Sequence, residues 1–127
     1  MSKFWKDITH FTPAEFDSPD LKGSGKTGMD EAFIRRLQML RNLYRKPMQI
    51  TSGYRTAAYN QQIGGAAQSL HLHGKAADVL VSGTNAYELI GLALAVGFKG
   101  IGVQQKGAYR GRFIHLDLRS TPTIWSY

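Results

Sequence analysis

Ser69-Leu70-His71-Leu72-His73-Gly74-Lys75-Ala76-Ala77-Asp78 decides the reading of this chain, together with Phe113-Ile114-His115-Leu116-Asp117 further along. Residues 112–118 read as a strand, and side chains on a strand alternate between its two faces. Phe113, His115 and Asp117 then share one face, while Ile114, Leu116 and Leu118 share the other. The aliphatic face is core. The face with a His and an Asp needs partners for its polar groups. Residues 75–82 also read as a strand, with Ala76, Asp78 and Leu80 on one face, opposite Val79 and Val81. Two strands offering polar groups from one sheet face, plus the loop residue His71, describe a metal site on a small α+β scaffold. A His, a carboxylate and a second His are a common ligand set for a hydrolytic zinc ion, and three ligands leave a fourth position for water. The chain has no cysteine, so a closed zinc site built on thiolates is excluded. A metal held here reads as catalytic.

Working outward, residues 30–45 read as an amphipathic helix carrying Phe33, Ile34, Leu37, Leu40, Leu43 and Tyr44 at helical spacing. Arg35, Arg36, Arg41 and Arg45 fall mostly on the other face and read as solvated. Pro47 stops the helix. A short strand over 48–52 leads through Gly53-Tyr54-Arg55 into a brief helix, 56–63, with Thr56 as N-cap. Gly64-Gly65 ends it, and 66–72 reads as a loop. Thr84 caps a second amphipathic helix, 85–96, with Gly97 just past its end. Gly100 to Val103 read as a strand and Gly107 to Gly111 as a turn. Residues 1–28 read as an ordered but irregular arm, pinned to the body by Phe4, Trp5, Phe11 and Phe16. Its run Gly23-Ser24-Gly25-Lys26-Thr27-Gly28 is no phosphate-binding loop, because no strand precedes it and the Gly-Lys-Ser/Thr spacing is wrong. The remainder, 29–127, forms a single domain.

The 127 residues suffice for one continuous core. No run of about 18 apolar residues exists to span a membrane. The start of the chain has neither the apolar segment nor the cleavage site of a secretory signal. The expectation is synthesis in the cytoplasm, with action elsewhere after release or as part of a virion. Sixteen basic against nine acidic residues give a formal charge of +7, which favours polyanions such as nucleic acid or anionic cell-wall polymer. The basic residues are scattered without an aromatic stripe, so no specific nucleic-acid partner is expected. A monomer is expected.

These segments resemble the zinc-dependent D-Ala-D-Ala carboxypeptidases, the M15 type of peptidoglycan peptidase, over about residues 30–127. Ile50-Thr51-Ser52-Gly53-Tyr54-Arg55-Thr56 looks like that family's Ser-Gly-Tyr/Phe-Arg-Ser/Thr segment. Ser69-x-His71-x-x-Gly74-x-Ala76-x-Asp78 matches its first-ligand motif, and Phe113 to Asp117 resemble the third-ligand segment of small phage and bacterial members. The resemblance implies a small α+β fold of the hedgehog/D-Ala-D-Ala peptidase kind, with an antiparallel-type sheet and two main helices. It implies one zinc, held by His71, Asp78 and His115, and a hydrolase acting on an amide bond of peptidoglycan stem peptides. With no secretory signal, a phage or prophage lysis enzyme (an endolysin) fits better than a housekeeping wall enzyme. The alternative is a wall-binding module that keeps the zinc fold and has lost turnover.

One departure motivates that alternative. Many members carry an acidic general base three residues before the third ligand, where this chain has Arg112, which cannot accept a proton. By elimination among nine acids, Asp117 is left as the base; otherwise it holds a ligand histidine by a hydrogen bond. Arg55, entering a helix beside the cleft, pairs with a substrate carboxylate or stabilises an oxyanion. Ser69 orders the metal loop and is no nucleophile. His73 supports a ligand, shuttles protons or simply lies on the surface, while His10 is structural or exposed. Gly74 lets backbone approach the metal. Tyr109 and Gln104 border the cleft, and Trp125 and Tyr127 finish a core edge.

Overall fold

The computed structural model describes residues 3–127; the first two residues of the arm lie outside the described residues. A five-stranded sheet organises the chain: β1 (Gln49–Ser52), β2 (Ala76–Leu80), β3 (Gly100–Gln104), β4 (Phe113–Asp117) and β5 (Thr123–Ser126). They lie in the order β1-β2-β4-β3-β5. The first four pair antiparallel and β5 joins β3 in parallel, so the sheet is mixed but largely antiparallel, in the small α+β fold that was expected. Strand β5 lies beyond residue 118, where the sequence pattern predicts none. β5 is four residues long and mostly exposed, whereas β4 is buried along nearly its whole length.

Four helices accompany the sheet: α1 (Ser24–Gly28), α2 (Glu31–Tyr44), α3 (Ala57–Gln62) and α4 (Gly83–Ala95). Asp30 caps α2 by accepting from Phe33 N at 2.9 Å, and Thr56 caps α3 by accepting from Tyr59 N. The inner stripe of α2 is fully buried at Phe33, Ile34, Leu37 and Leu40, whereas Leu43 turns outward. Leu89 and Ala93 of α4 join the same core, with Val79, Ile101, Ile114 and Leu116 from the sheet. Each large aliphatic there contributes about 1.5–3 kcal/mol by leaving water.

Three local readings change. Helix α4 starts at Gly83, one residue before Thr84, and Gln105 Oε1 accepts from Gly83 N at 3.2 Å in place of a threonine cap. Arg36 is not merely solvated: its Nη1 donates to Val96 O at 2.6 Å, satisfying a carbonyl at the end of α4. The arm contains a helix, α1, built from its glycine run, and two 3-10 turns, Phe4–Asp7 and Pro13–Phe16. Phe4, Trp5, Phe11 and Phe16 are all buried in the common core, and Phe16 O accepts from Tyr54 N at 2.9 Å. The arm thereby fixes the segment that precedes α3. No helix among the described residues is long and apolar enough to cross a membrane.

Candidate metal centre

The pairing register places the polar groups. Ser52 of β1 lies opposite Asp78 of β2, Asp78 opposite His115 of β4, His115 opposite Gly102 of β3, and Gly102 opposite Trp125 of β5. One rung of the sheet therefore carries Ser52, Asp78, His115, Gly102 and Trp125 side by side, with the short contacts that cross-strand neighbours make. Two residues along, on the same face, a second rung carries Ala76, Asp117, Gly100 and Thr123. Helices α2 and α4 serve the opposite, apolar face.

His71 reaches the rung from a 3-10 turn, Leu70–His73, capped by Ser69 Oγ, which accepts from His71 N at 3.2 Å. Gly74 closes the turn with φ +67, in the left-handed region, and a Cβ there would lie 1.9 Å from Gly28 O. The close approach that requires a glycine here is to the backbone at the end of α1. Gly74 O accepts from Asp30 N at 3.0 Å, tying the turn to the start of α2.

Three lone pairs converge on one point. His71 Nδ1 donates to Gly53 O at 2.7 Å, so in the neutral ring Nε2 carries no proton. That Nε2 is buried, has no hydrogen-bond partner among the described residues, and lies 3.3 Å from Asp78 Oδ1. In the neutral ring His115 Nε2 donates to Asp117 Oδ2 at 2.7 Å, which leaves the Nδ1 lone pair facing Asp78 Oδ1 at 3.0 Å. Ligand atoms of His71, Asp78 and His115 all fall within 4.8 Å of one another. Acceptors buried face to face repel unless a proton or a cation sits between them. The donor set fits a divalent metal, with His71 through Nε2, His115 through Nδ1, and Asp78 through a carboxylate oxygen.

Burial disfavours charge on Asp78, yet the imidazoles of His115 and His71 beside it outweigh that and hold the carboxyl well below the usual range. Burial likewise disfavours charge on His115, and the Asp117 and Asp78 carboxylates on its two ring nitrogens override it and raise the imidazole, so that without a metal Nδ1 favours a proton that a bound cation would replace. Asp117 is wholly buried. Against that burial, bonds from His115 and Arg119 keep it ionised far below the usual carboxylate range. Its oxygens accept from His115 Nε2, from Arg119 Nε and Nη2 at 2.9 and 2.7 Å, and from Arg119 N at 3.0 Å.

The site opens into a cleft of about 650 Å³. Arg55 stands at one side, half-buried, with its nitrogens on protein acceptors. Nε donates to Ser52 Oγ at 3.1 Å, Nη1 donates to Asn60 Oδ1 at 3.2 Å, and Nη2 lies 3.6 Å from Asp78 Oδ2. Asn60, which the sequence reading passed over, is buried and also donates to Ala66 O, holding the 64–69 rim. Trp125 and Tyr127 do not finish a core edge. They line the cleft, with the Trp125 ring 5.0 Å from His115 and the Arg119 guanidinium 4.5 Å above the Trp125 ring. The signal for this was Gly100-x-Gly102. A Cβ on Gly102 would lie 2.8 Å from the Trp125 indole, and one on Gly100 would lie 1.9 Å from Asp117 Oδ1. Bare strand backbone lets both side chains lie across β3.

His73 is exposed and does not line the cleft. Tyr109 and Gln104 lie outside it too: Tyr109 borders a separate groove with Tyr44, and Gln104 Oε1 accepts from Lys106 N. Arg112 donates from Nε to Gly107 O, bracing the β3–β4 connection, and His10 pairs with Gln38. The family model described as Peptidase M15 matches residues 9–117. None of the curated proteins compared with the chain matches it.

Proposed function

We propose that this chain, which belongs to the peptidase M15 family, is a zinc metallopeptidase that hydrolyses an amide bond in peptidoglycan stem peptides. Family membership suggests a metallopeptidase. The observation that carries the metal is the orphaned, buried Nε2 of His71, 3.3 Å from Asp78 Oδ1, with His115 Nδ1 on the same oxygen. Two imidazoles and one carboxylate, with no thiolate, suit zinc with an open position. Bound there, zinc supplies Lewis acidity toward a carbonyl and activation of water at neutral pH.

The chain's residues supply orientation. Gly53 O fixes the tautomer of His71, and Asp117 fixes that of His115, as outer hydrogen bonds do for metal-bound imidazoles. In this reading Asp117 positions His115 and takes no proton from water, because it is wholly buried and its oxygens face donors from His115 and Arg119. Arg55 steadies the second oxygen of Asp78 and adds positive charge beside the reacting carbonyl. Phe113, Trp125 and Tyr127 line the same cleft as residues 64–66 and 68–69, and in this reading it takes an extended peptide.

As part of the same proposal, the protein acts in bacterial wall lysis for a phage or prophage. Its basic balance suits an anionic wall. The alternative, a wall-binding module without turnover, draws on one observation: among the described residues Asp78 is the one acid lining the cleft. Mass spectrometry of muropeptides after incubation with zinc-loaded protein separates the two. Cleaved stems that disappear with His71→Ala support the peptidase. Wall binding with intact stems supports the alternative.

A further inference from the structure

The family match ends at Asp117, yet Arg119, Thr123, Trp125 and Tyr127 beyond it all line the cleft. Arg119 is built into place from three directions. Its Nε and Nη2 grip the Asp117 carboxylate, its backbone N donates to the same group, and its guanidinium lies over Trp125. Trp125 is held in turn between Arg119, His115 and Tyr127. The side chain keeps a third of its surface, and among the described residues no acceptor is bonded to Nη1. A guanidinium immobilised on two sides with one free edge is preorganised for a carboxylate.

The charges point the same way. Asp117 is shared between Arg119 and His115, and Arg55 is matched by Asp78. With a divalent ion on His71, Asp78 and His115, the cleft is net positive and its acids are all engaged. Arg55, expected from sequence to meet a substrate carboxylate or an oxyanion, has its nitrogens on Ser52, Asn60 and Asp78. Arg119 is the cleft cation with an unbonded nitrogen.

We infer that Arg119, seated on Trp125, forms a subsite that binds a carboxylate of the substrate peptide within about two or three residues of the scissile amide. The inference rests on the stem-peptide reading and sharpens it: the preferred substrate carries a free carboxylate at that position, and amidation of that one group disfavours it. Trp125 acts through Arg119, holding the guanidinium plane.

The test uses zinc-loaded full-length protein and synthetic pentapeptide stems identical except that one carboxylate at a time is converted to carboxamide. In wild type, amidating one particular carboxylate should lower kcat/KM by about 10- to 100-fold, the range for a charge-assisted pair. In Arg119→Gln the rates fall for both forms, because Asp117 loses a partner, but their ratio should collapse to within about threefold. Arg119→Lys, which keeps the charge on Asp117 and loses the fork, should give an intermediate ratio and stands in should the glutamine variant not fold. Zinc content is measured on every sample. Wild type indifferent to amidation at every position overturns the subsite, as does a variant with the wild-type ratio. Should no stem be cleaved, the peptidase reading fails separately. Calorimetry with the same peptides then decides: a carboxylate preference lost in the variant supports the subsite, and equal or absent binding overturns it.

Discussion

Replacing Asp117 with Asn separates two roles that one residue could hold beside a metal. The carboxylate is wholly buried and takes hydrogen bonds from His115 Nε2, Arg119 Nε, Arg119 Nη2 and Arg119 N. An amide of the same shape has one acceptor oxygen. Its NH2 group must face donors: at the Oδ2 position it meets His115 Nε2–H and Arg119 Nη2–H, each now 2.7 Å from an acceptor. His115 then loses what fixes its tautomer, and zinc affinity should fall by about 10- to 100-fold. Breaking a buried ion pair costs about 3–5 kcal/mol. Arg119 is a third exposed, so water recovers part of its loss, and about 2–4 kcal/mol of destabilisation is expected. The assays are competition with a chromophoric chelator for affinity, denaturant unfolding for stability, and peptide hydrolysis at saturating zinc. With zinc restored, turnover should return to within about tenfold of wild type. Unchanged zinc affinity with a turnover loss of about 10²–10⁴ would refute the positioning role and make Asp117 the general base.

Gly100→Ala places a Cβ 1.9 Å from Asp117 Oδ1, so it should weaken zinc binding in the same competition assay although no ligand is touched. Gly74→Ala meets both a left-handed φ and the Gly28 carbonyl, and should lower stability by more than about 2 kcal/mol in denaturant unfolding; a neutral result would contradict the turn geometry. Leu89→Ala empties a fully buried position and should cost about 2–5 kcal/mol while zinc affinity is retained. Chelation should lower the melting temperature, since a metal at 100 times its Kd adds about 2.7 kcal/mol to the native state. His71→Ala should melt at one temperature with or without zinc.

What the sequence disclosed followed from periodicity. His115 and Asp117 alternate with Ile114 and Leu116, so a polar face opposite a core face was legible from β4 alone. The stripe of α2 was legible for the same reason, apart from Leu43 at its margin. Contacts set by non-local register were not legible. That Trp125 would lie against His115 depends on β5 pairing in parallel with β3, and nothing in Thr123-Ile124-Trp125-Ser126 announces a partner. Arg119 and Asp117 are two residues apart, yet only the buried end of β4 makes them a pair. The start of α4 was misplaced because its cap comes from Gln105, distant in sequence. The alternating glycines of β3 were the one local hint, since glycine at two same-face positions marks where other side chains cross a strand.

The central claim is a metal held by three named atoms, and anomalous diffraction at the zinc edge tests it most directly. The account predicts one peak per chain, bound by His71 Nε2, Asp78 and His115 Nδ1, with His115 Nε2 still donating to Asp117. Zinc on His115 Nε2, or crystals grown with zinc that show no peak at these residues, would contradict it.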